Sequence, residues 1–230
     1  GIREEKSDLI ELINNKGFNN ESSIDKKNKN YQRFFYQEAF RNLSASIRFL
    51  NTGKETNIIS LTSSVPSEGK SLVTILLSKT IEEMGQKVIL IDGDLRKPQM
   101  HTRIGLNNIL GLSNYLTDPS TKVEKILQNV PGHKNWKVLT AGRIAPDPTR
   151  LLSSKRMLTL IDDLVEKEKP DLILFDTPPV LGLADAALTA KCCDGIILLV
   201  GINKVDRGFP SLSLKRLFNS GIEVLGLISN

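Results

Sequence analysis

Short apolar runs alternate with longer, more polar segments from residue 57 to the end of the chain. The runs are NIISLT (57–62), KVILID (87–92), WKVLTA (136–141), DLILFD (171–176), GIILLVGI (195–202) and EVLGLIS (223–229). Continuous runs rich in Val, Ile and Leu are typical of parallel strands buried on both faces of a sheet. The segments between them are long enough for the crossover helices that parallel strands need (69–84, 98–128, 149–168, 184–191 and 207–220). The pattern predicts a doubly wound α/β domain that binds ligands at the carboxyl ends of its strands.

The first 50 residues are organised differently. Residues 4–16 predict a short charged helix, and residues 17–32 are rich in Asn, Ser and Lys, which favours a flexible linker. One apolar stripe at helical spacing follows, formed by Tyr36, Phe40, Leu43, Ile47 and Leu50. We therefore predict an N-terminal helix and linker over 1–32 and a single domain over 33–230, with residues 33–50 as its first helix.

Composition excludes several classes of function. The net charge of +5 is mild, and the chain has no long Lys/Arg block or aromatic RNA-binding motif, so we do not expect a nucleic acid partner. Adjacent Cys192 and Cys193 and only two histidines disfavour a disulfide framework, a zinc site and a histidine triad. No run approaches the roughly 18 apolar residues of a membrane span, so we expect a soluble fragment, cut from a longer protein because it begins Gly-Ile-Arg.

The stretch SSVPSEGKS (63–71) follows the first predicted strand and opens a predicted helix. It matches the phosphate-loop pattern G-x-x-x-x-G-K-[ST] at Gly69, Lys70 and Ser71, but Ser64 stands where the first glycine belongs. In such a loop, backbone N–H groups and the helix N-terminus surround phosphate oxygens, the lysine reaches the β- and γ-phosphates, and the hydroxyl binds Mg²⁺. Ser64 and Ser67 are small enough for the loop to close if their φ angles are allowed.

Two further motifs lie at the ends of predicted strands. In VILIDGDLRKP (88–98), Asp92 and Asp94 point the same way in an extended chain and suit Mg²⁺ binding or proton removal, whereas Arg96 and Lys97 suit phosphate. A solvated turn is the alternative interpretation of this motif. In LILFDTPP (172–179), Asp176 ends an apolar strand, as does the Mg²⁺-binding aspartate of P-loop enzymes, although an Asp there also suits a cap or turn.

With these three motifs in this order, the chain resembles the bacterial tyrosine kinases that regulate capsule and exopolysaccharide export. The similarity extends through LTAGRIAPDPTRLLSSKRM (139–157), where Arg150 replaces a family glutamate, and it covers about residues 33–230. The resemblance implies a P-loop domain of the MinD and ParA superfamily. The extra lysine that those ATPases carry early in the loop is absent from residues 63–67.

The resemblance also implies an activity and a site. It implies a protein-tyrosine kinase that uses ATP and Mg²⁺, with Lys70, Asp92 and Asp94 as catalytic residues, one of the two aspartates acting as base. The metal set would be Ser71, Asp92, Asp94 and Asp176. The nucleotide set would be Ser64, Val65, Pro66, Ser67, Glu68, Gly69, Lys70, Ser71, Leu72 and Arg96, with Asn230 near the adenine.

Assembly and partners are implied as well. Glu38 and Arg41 match the first two positions of the family's Glu-x-x-Arg-x-x-Arg oligomerisation helix, but Ser44 replaces the last arginine. We expect a ring-like homo-oligomer that phosphorylates itself in trans, a membrane-spanning activator fused upstream or separate, and a location at the cytoplasmic face of the bacterial inner membrane. The family's substrate is a C-terminal tyrosine cluster, which we expect beyond Asn230.

Two alternatives stay open at this point. One is a nucleotide-switch ATPase of the MinD/ParA kind, against which the missing early lysine counts. The other is a non-catalytic ATP-sensing module of the export machinery, which the absence of a tyrosine cluster from this chain keeps open.

Overall fold

The structure is a computed structural model that describes residues 23–50, 57–202 and 205–230, with side chains from Phe35 onward. Within these ranges seven strands form one sheet. They are β1 (Asn57–Ser63), β2 (Val88–Asp92), β3 (Leu127–Asn129), β4 (Trp136–Leu139), β5 (Leu172–Asp176), β6 (Gly195–Val200) and β7 (Val224–Ser229). The strand order is β3-β4-β2-β5-β1-β6-β7, and every pair is parallel except β3 with β4. The predicted α/β class and mostly parallel sheet are confirmed.

Helices connect the strands across both faces of the sheet. They are α1 (Ser23–Phe49), α2 (Lys70–Glu83), α3 (Met100–Ile104), α4 (Leu112–Thr117), α5 (Val123–Ile126), α6 (Pro148–Leu152), α7 (Lys155–Glu168), α8 (Asp185–Ala190) and α9 (Gly208–Asn219). The segment 98–128, predicted only to be long enough for a crossover helix, contains the three short helices α3, α4 and α5 and the start of β3. Gly105 ends α3 in a left-handed conformation (φ 79°), which a continuous helix cannot contain.

Side chains of the central strands alternate between two buried clusters. Leu61, Leu90 and Leu174 lie in one cluster with the inner face of α2, and Ile91, Ile173 and Phe175 lie in the other with residues of α4 and α7. β2 and β5, which are covered on both faces, are apolar up to the aspartate that ends each strand. β1 also contains Ser60 and Thr62, which are buried and whose hydroxyls donate to the carbonyls of Gly195 and Pro178.

The first helix differs from its prediction at both ends. It begins at Ser23, so residues 23–32, predicted as linker, continue the helix, because adding residues such as Lys and Gln to a formed helix costs little. Phe40, Leu43 and Ile47 pack against the core as the stripe predicts, whereas Tyr36 is 68% exposed and Leu50, which follows the last helical residue, is 38% exposed. The predicted helix over 4–16 lies outside the described residues.

None of the helices in the described part of the chain is both long and apolar enough to cross a membrane.

The two-sided burial of β5 predicts a large difference between two leucine substitutions. Leu174 on β5 is fully buried, whereas Leu158 on α7 is 55% exposed. We expect Leu174→Ala to lower the free energy of unfolding by about 2–5 kcal/mol, because it leaves a cavity, and Leu158→Ala to change it by less than about 0.5 kcal/mol. Urea unfolding measures both, and equal effects would contradict this description of the core.

Candidate functional site

The phosphate loop joins β1 to α2. Gly69, immediately before α2, has φ 99°, and Ser67 has φ 69°, so both occupy the left-handed region. Ser64, at the position of the missing glycine, is not among the residues with positive φ. A side chain there causes no backbone strain, because positive φ is what disfavours residues other than glycine. The left-handed position that needs a glycine in this loop is therefore residue 69, where the sequence has one.

Gly69 is also constrained by packing. A Cβ atom at this residue would collide with Nδ2 of Asn230, and that amide donates a hydrogen bond to the carbonyl of Glu68 (2.7 Å). Asn230, predicted near an adenine, thus lies directly against the phosphate loop. The last described residue of the chain and the loop form one structural unit.

Lys70 is the first residue of α2 and is almost fully buried. Its Nζ lies 2.5 Å from Oδ1 of Asp176 and 3.2 Å from Oγ of Ser71. Asp176 ends β5, which is the direct neighbour of β1 in the sheet, and this adjacency brings the phosphate loop and the third motif together. Thr74, one turn along α2, has its hydroxyl 3.4 Å from the same carboxylate oxygen.

Asp92 ends β2 on the other side of β5, where it is the register partner of Asp176. Its carboxyl is buried beside that second carboxylate, and burial first, then the charge of Asp176, raise the pKa of Asp92 from 3.8 to about 8. The positive charge of Lys70 opposes this shift. A carboxyl with such a pKa carries a proton at neutral pH and releases it readily when a cation approaches.

Asp94 is placed differently from Asp92. Its Oδ1 accepts the backbone N–H groups of Arg96 (3.2 Å) and Lys97 (2.9 Å), so it closes the turn after β2. Asp94 therefore has the turn role that was the alternative interpretation of Asp-Gly-Asp. Asp92 is instead buried beside Asp176. The structure gathers Lys70, Ser71, Asp92 and Asp176 at one point, with Asp94 at its margin.

Arg96 extends away from the phosphate loop. Its Nε donates to Oδ2 of Asp185 at 2.6 Å, and its Nη2 donates to Oδ1 of Asp185 (3.1 Å) and to the hydroxyl of Thr149 (3.0 Å). The hydrogen bond to Asp185 raises the pKa of the guanidinium. Asp185 is fully buried, so this ion pair anchors the turn after β2 to α6 and α8.

Asp185 and Thr149 are absent from the set predicted by sequence. Asp185 lies in an otherwise apolar stretch, LGLADAAL, and a single acidic residue at the start of such a helix is the signal that was available. Nothing in the sequence pairs it with Arg96, because the two residues are far apart along the chain.

The residues present fit a magnesium ion held together with phosphate. In the described ranges, no three His, Cys, Asp or Glu side chains form a metal site by themselves. A P-loop site does not need one, since Mg²⁺ takes a protein hydroxyl, carboxylates through water and phosphate oxygens. Ser71 and the two strand-end carboxylates supply those donors. The buried hydroxyl of Ser64, which has no hydrogen-bond partner in the described structure, adds a polar atom to the loop.

Comparisons with known proteins identify relatives over most of the chain. The tyrosine-protein kinase YwqD of Bacillus subtilis is 35% identical over 193 residues, which is 84% of this chain and 80% of that protein. The tyrosine-protein kinase Etk of Escherichia coli K12 is 34% identical over 84% of this chain, but the match spans 26% of its length. No protein-family model matches the chain.

Solved structures agree with these relatives. The kinase domain of E. coli Etk superposes with a TM-score of 0.76 at 34% identity, covering 84% of this chain and 74% of that one. The chimerical protein CapA2B2 gives a TM-score of 0.78 at 28% identity, covering 84% and 83%. MinD of Pyrococcus horikoshii, solved with Mg-ADP, gives 0.59 at 28% identity, covering 76% and 70%. The chain has the P-loop fold that these proteins share.

The burial of Asp92 predicts a pH-dependent stability in the metal-free protein. Because its pKa is about 8 in the folded protein against an ordinary 3.8, the unfolded chain ionises first, and the folded state loses stability as pH rises between about 4 and 8. Asp92→Asn cannot ionise. We expect this variant to equal the wild type near pH 4 and to exceed it at pH 8 by on the order of 2 kcal/mol or more. Denaturant titrations with EDTA measure the difference, and one that shrinks with rising pH contradicts the assignment.

Proposed function

The chain belongs to the bacterial tyrosine-protein kinases and is a tyrosine-protein kinase domain, and from that premise we propose how its residues bind ATP and direct the phosphate. The observation that carries the proposal is the meeting of Lys70, Asp92 and Asp176 beside the left-handed Gly69. One loop and two strand ends there combine backbone N–H groups, a cation and two carboxylates. These are the groups that phosphoryl transfer from a nucleotide requires.

We assign phosphate binding to the loop and the start of α2. The backbone of Ser64 to Leu72 follows the oxygens of the β- and γ-phosphates, and Lys70 exchanges its contact with Asp176 for a phosphate contact. Asn230 stays a predicted contact of the base, and its side-chain amide is bonded to the Glu68 carbonyl in the loop. Arg96 stays a predicted phosphate contact, and it must leave Asp185 to become one.

The metal set is proposed as Ser71, Asp92, Asp94 and Asp176. Mg²⁺, when bound, neutralises charge on the phosphates and orients them. Asp176 becomes available as an acceptor when Lys70 moves to phosphate. We assign the role of base to Asp92 rather than Asp94, because Asp92 lies beside Asp176 at the strand ends whereas Asp94 is occupied by the turn.

Two of the tyrosines can be judged as phosphate acceptors. Tyr115 is buried and its hydroxyl donates to Asp163 at 2.8 Å, so it is not offered to another molecule. Burial first, then this hydrogen bond, raise the pKa of Tyr115 to about 12. Tyr36 is exposed on α1. We propose that the principal acceptors are tyrosines beyond Asn230 or on another protein.

A nucleotide switch of the MinD kind is the second candidate. The solved MinD superposes less closely than the kinase domains, with a TM-score of 0.59 against 0.76 for Etk. Residues 63–67 also lack the early lysine that sequence analysis associated with those ATPases. Both observations favour the kinase.

We further propose that the domain works as a homo-oligomer at the cytoplasmic face of the membrane, with a membrane-spanning activator, in polysaccharide export. Two observations on α1 support self-association. Glu38 and Arg41 form an exposed ion pair of 2.7 Å, and Phe35 and Phe49 are exposed on the same helix. Ser44, where the family motif has arginine, is buried and donates to the carbonyl of Phe40, so it faces the domain's own core.

Phosphotransfer is tested by mixing the protein with ATP, Mg²⁺ and a Glu/Tyr copolymer and measuring phosphotyrosine. We expect Lys70→Met and Asp92→Asn to lower the rate by on the order of 100-fold or more, because each removes a group that contacts the reacting phosphate or hydroxyl. Lys79→Met is the matched control, since Lys79 lies on the same helix and pairs with Glu83 away from the site. Equal rates for Lys70→Met and Lys79→Met would contradict the proposed site.

Assembly through α1 is tested by light scattering with ATP and Mg²⁺. We expect the double substitution Glu38→Ala, Arg41→Ala to reduce the average mass at a protein concentration where the wild type associates. The pair Glu124–Lys167, at 3.0 Å, is an exposed ion pair elsewhere, and Glu124→Ala serves as the control. Each change costs less than about 1 kcal/mol of stability, so unfolding does not confuse the result. An unchanged mass for the double variant excludes this surface.

A further inference from the structure

Glu68, the residue before Gly69, has a fully buried carboxylate inside the phosphate loop. Its side chain is 1% exposed. One oxygen, Oε1, accepts the backbone N–H of Val65 at 2.7 Å, and the other, Oε2, accepts the backbone N–H of Gly201 at 2.7 Å. Burying a carboxylate costs several kcal/mol unless its oxygens are hydrogen-bonded. Both oxygens of Glu68 have a donor, and each donor belongs to the backbone.

The two donors belong to different parts of the fold. Val65 lies at the start of the phosphate loop, and Gly201 directly follows β6. The carboxylate therefore bridges the loop and the carboxyl end of a neighbouring strand. A second bridge runs from the main chain of the same residue, because the Glu68 carbonyl accepts the side-chain amide of Asn230 at the end of β7 (2.7 Å).

The strand ends that receive these bridges are themselves fixed. The N–H of Asn230 donates to the carbonyl of Val200 (2.9 Å), and the N–H of Ile202 donates to the carbonyl of Asn230 (2.8 Å). Glu68 is thus attached to a hydrogen-bonded corner formed by β6 and β7. The phosphate loop is held from inside the protein and not only by its covalent ends.

The loop needs such support because its conformation is costly. Ser67 has φ 69°, and a non-glycine residue in the left-handed region costs roughly 1–2 kcal/mol. Backbone N–H groups that converge on an anion also lack a partner before the anion arrives. A binding loop that is only partly populated in its competent form loses affinity in proportion to that population.

We infer that Glu68 is a positioning residue that keeps the phosphate loop in its binding conformation before the nucleotide arrives, and that it couples the loop to the ends of β6 and β7. This inference rests on the proposed binding of nucleotide phosphates by the loop. Glu68 acts through its own backbone neighbours, and its carboxylate faces the protein interior. A glutamine cannot replace it, because a carboxamide offers one acceptor oxygen where two N–H donors must be met.

The role has a specific signature in binding. Loss of preorganisation lowers the affinity for ligands whose phosphates contact the loop and leaves the affinity for other ligands unchanged. We expect Glu68→Gln to lower the affinity for ATP and for ADP by about 10-fold and to change the affinity for adenosine by less than about 2-fold. KM for ATP rises with it, and kcat at saturating ATP stays within about 3-fold, because the bound loop is the same once formed.

The experiment compares the wild type, Glu68→Gln and Asp194→Asn. Asp194 accepts the backbone N–H of Ile58 at 2.8 Å and lies at the opposite end of β6, so its substitution disturbs a comparable side-chain-to-backbone bond away from the loop. Calorimetric titration measures the affinities for ATP, ADP and adenosine. Hydrogen exchange in the ligand-free protein measures protection of the Val65 and Gly201 amides.

The inference is supported if Glu68→Gln selectively loses ATP and ADP affinity and speeds exchange at both amides, while Asp194→Asn does neither. Unchanged exchange at Val65 and Gly201 overturns it, and so does an equal loss of ATP and adenosine affinity. If the wild type binds neither ATP nor ADP, the proposed function fails. The exchange data then still decide whether Glu68 holds the loop.

Discussion

Lys70, at the start of α2, supplies the positive charge that allows two acidic side chains, Asp92 and Asp176, to be buried next to each other. Asp92 and Asp176 are register partners on adjacent strands, both buried, and Lys70 is the cation bonded to Asp176 between them. Without that charge, placing both carboxylates at the end of an apolar sheet would be prohibitively costly. Part of the remaining cost is relieved by the proton that Asp92 keeps at neutral pH. The site therefore holds a cation on Lys70 and a proton on Asp92, and we expect substrate binding to displace both.

The strand order makes this arrangement possible. Placing β5 between β1 and β2 brings three motifs from distant parts of the chain to neighbouring strand ends. The loop then needs its own anchors, and it finds them on the other side of β1, where Glu68 and Asn230 reach the ends of β6 and β7. Arg96 and Asp185 do the same for the turn after β2. The reactive groups lie between two buried carboxylate anchors, one on each side.

Much of the fold could be predicted from the sequence, because strands buried on both faces must be largely apolar, and VILID (88–92), LILFD (172–176) and GIILLV (195–200) are short runs of this kind. The short edge strand β3 could not, since LQN has no apolar run and exists only through its pairing with β4. The same limit applies to the site. Gly69, Lys70, Ser71, Asp92 and Asp176 lie in motifs whose spacing is local. Asp185 and the carboxylate contacts of Glu68 depend on tertiary neighbours that local spacing does not encode.

Charge balance explains why the proposed site would take a cation and a polyanion together. If Lys70 left Asp176 for a phosphate while no other cation arrived, the buried carboxylate of Asp176 would lose its ion-pair partner, and the cost of that unpaired charge would offset the gain at the phosphate. If a divalent cation arrived alone, it would meet Lys70 already bonded to the carboxylate it needs. When both arrive, each positive charge acquires a negative partner and Asp92 can release its proton. In the proposed site, the ion pair of Lys70 and Asp176 would thus also couple nucleotide binding to metal binding.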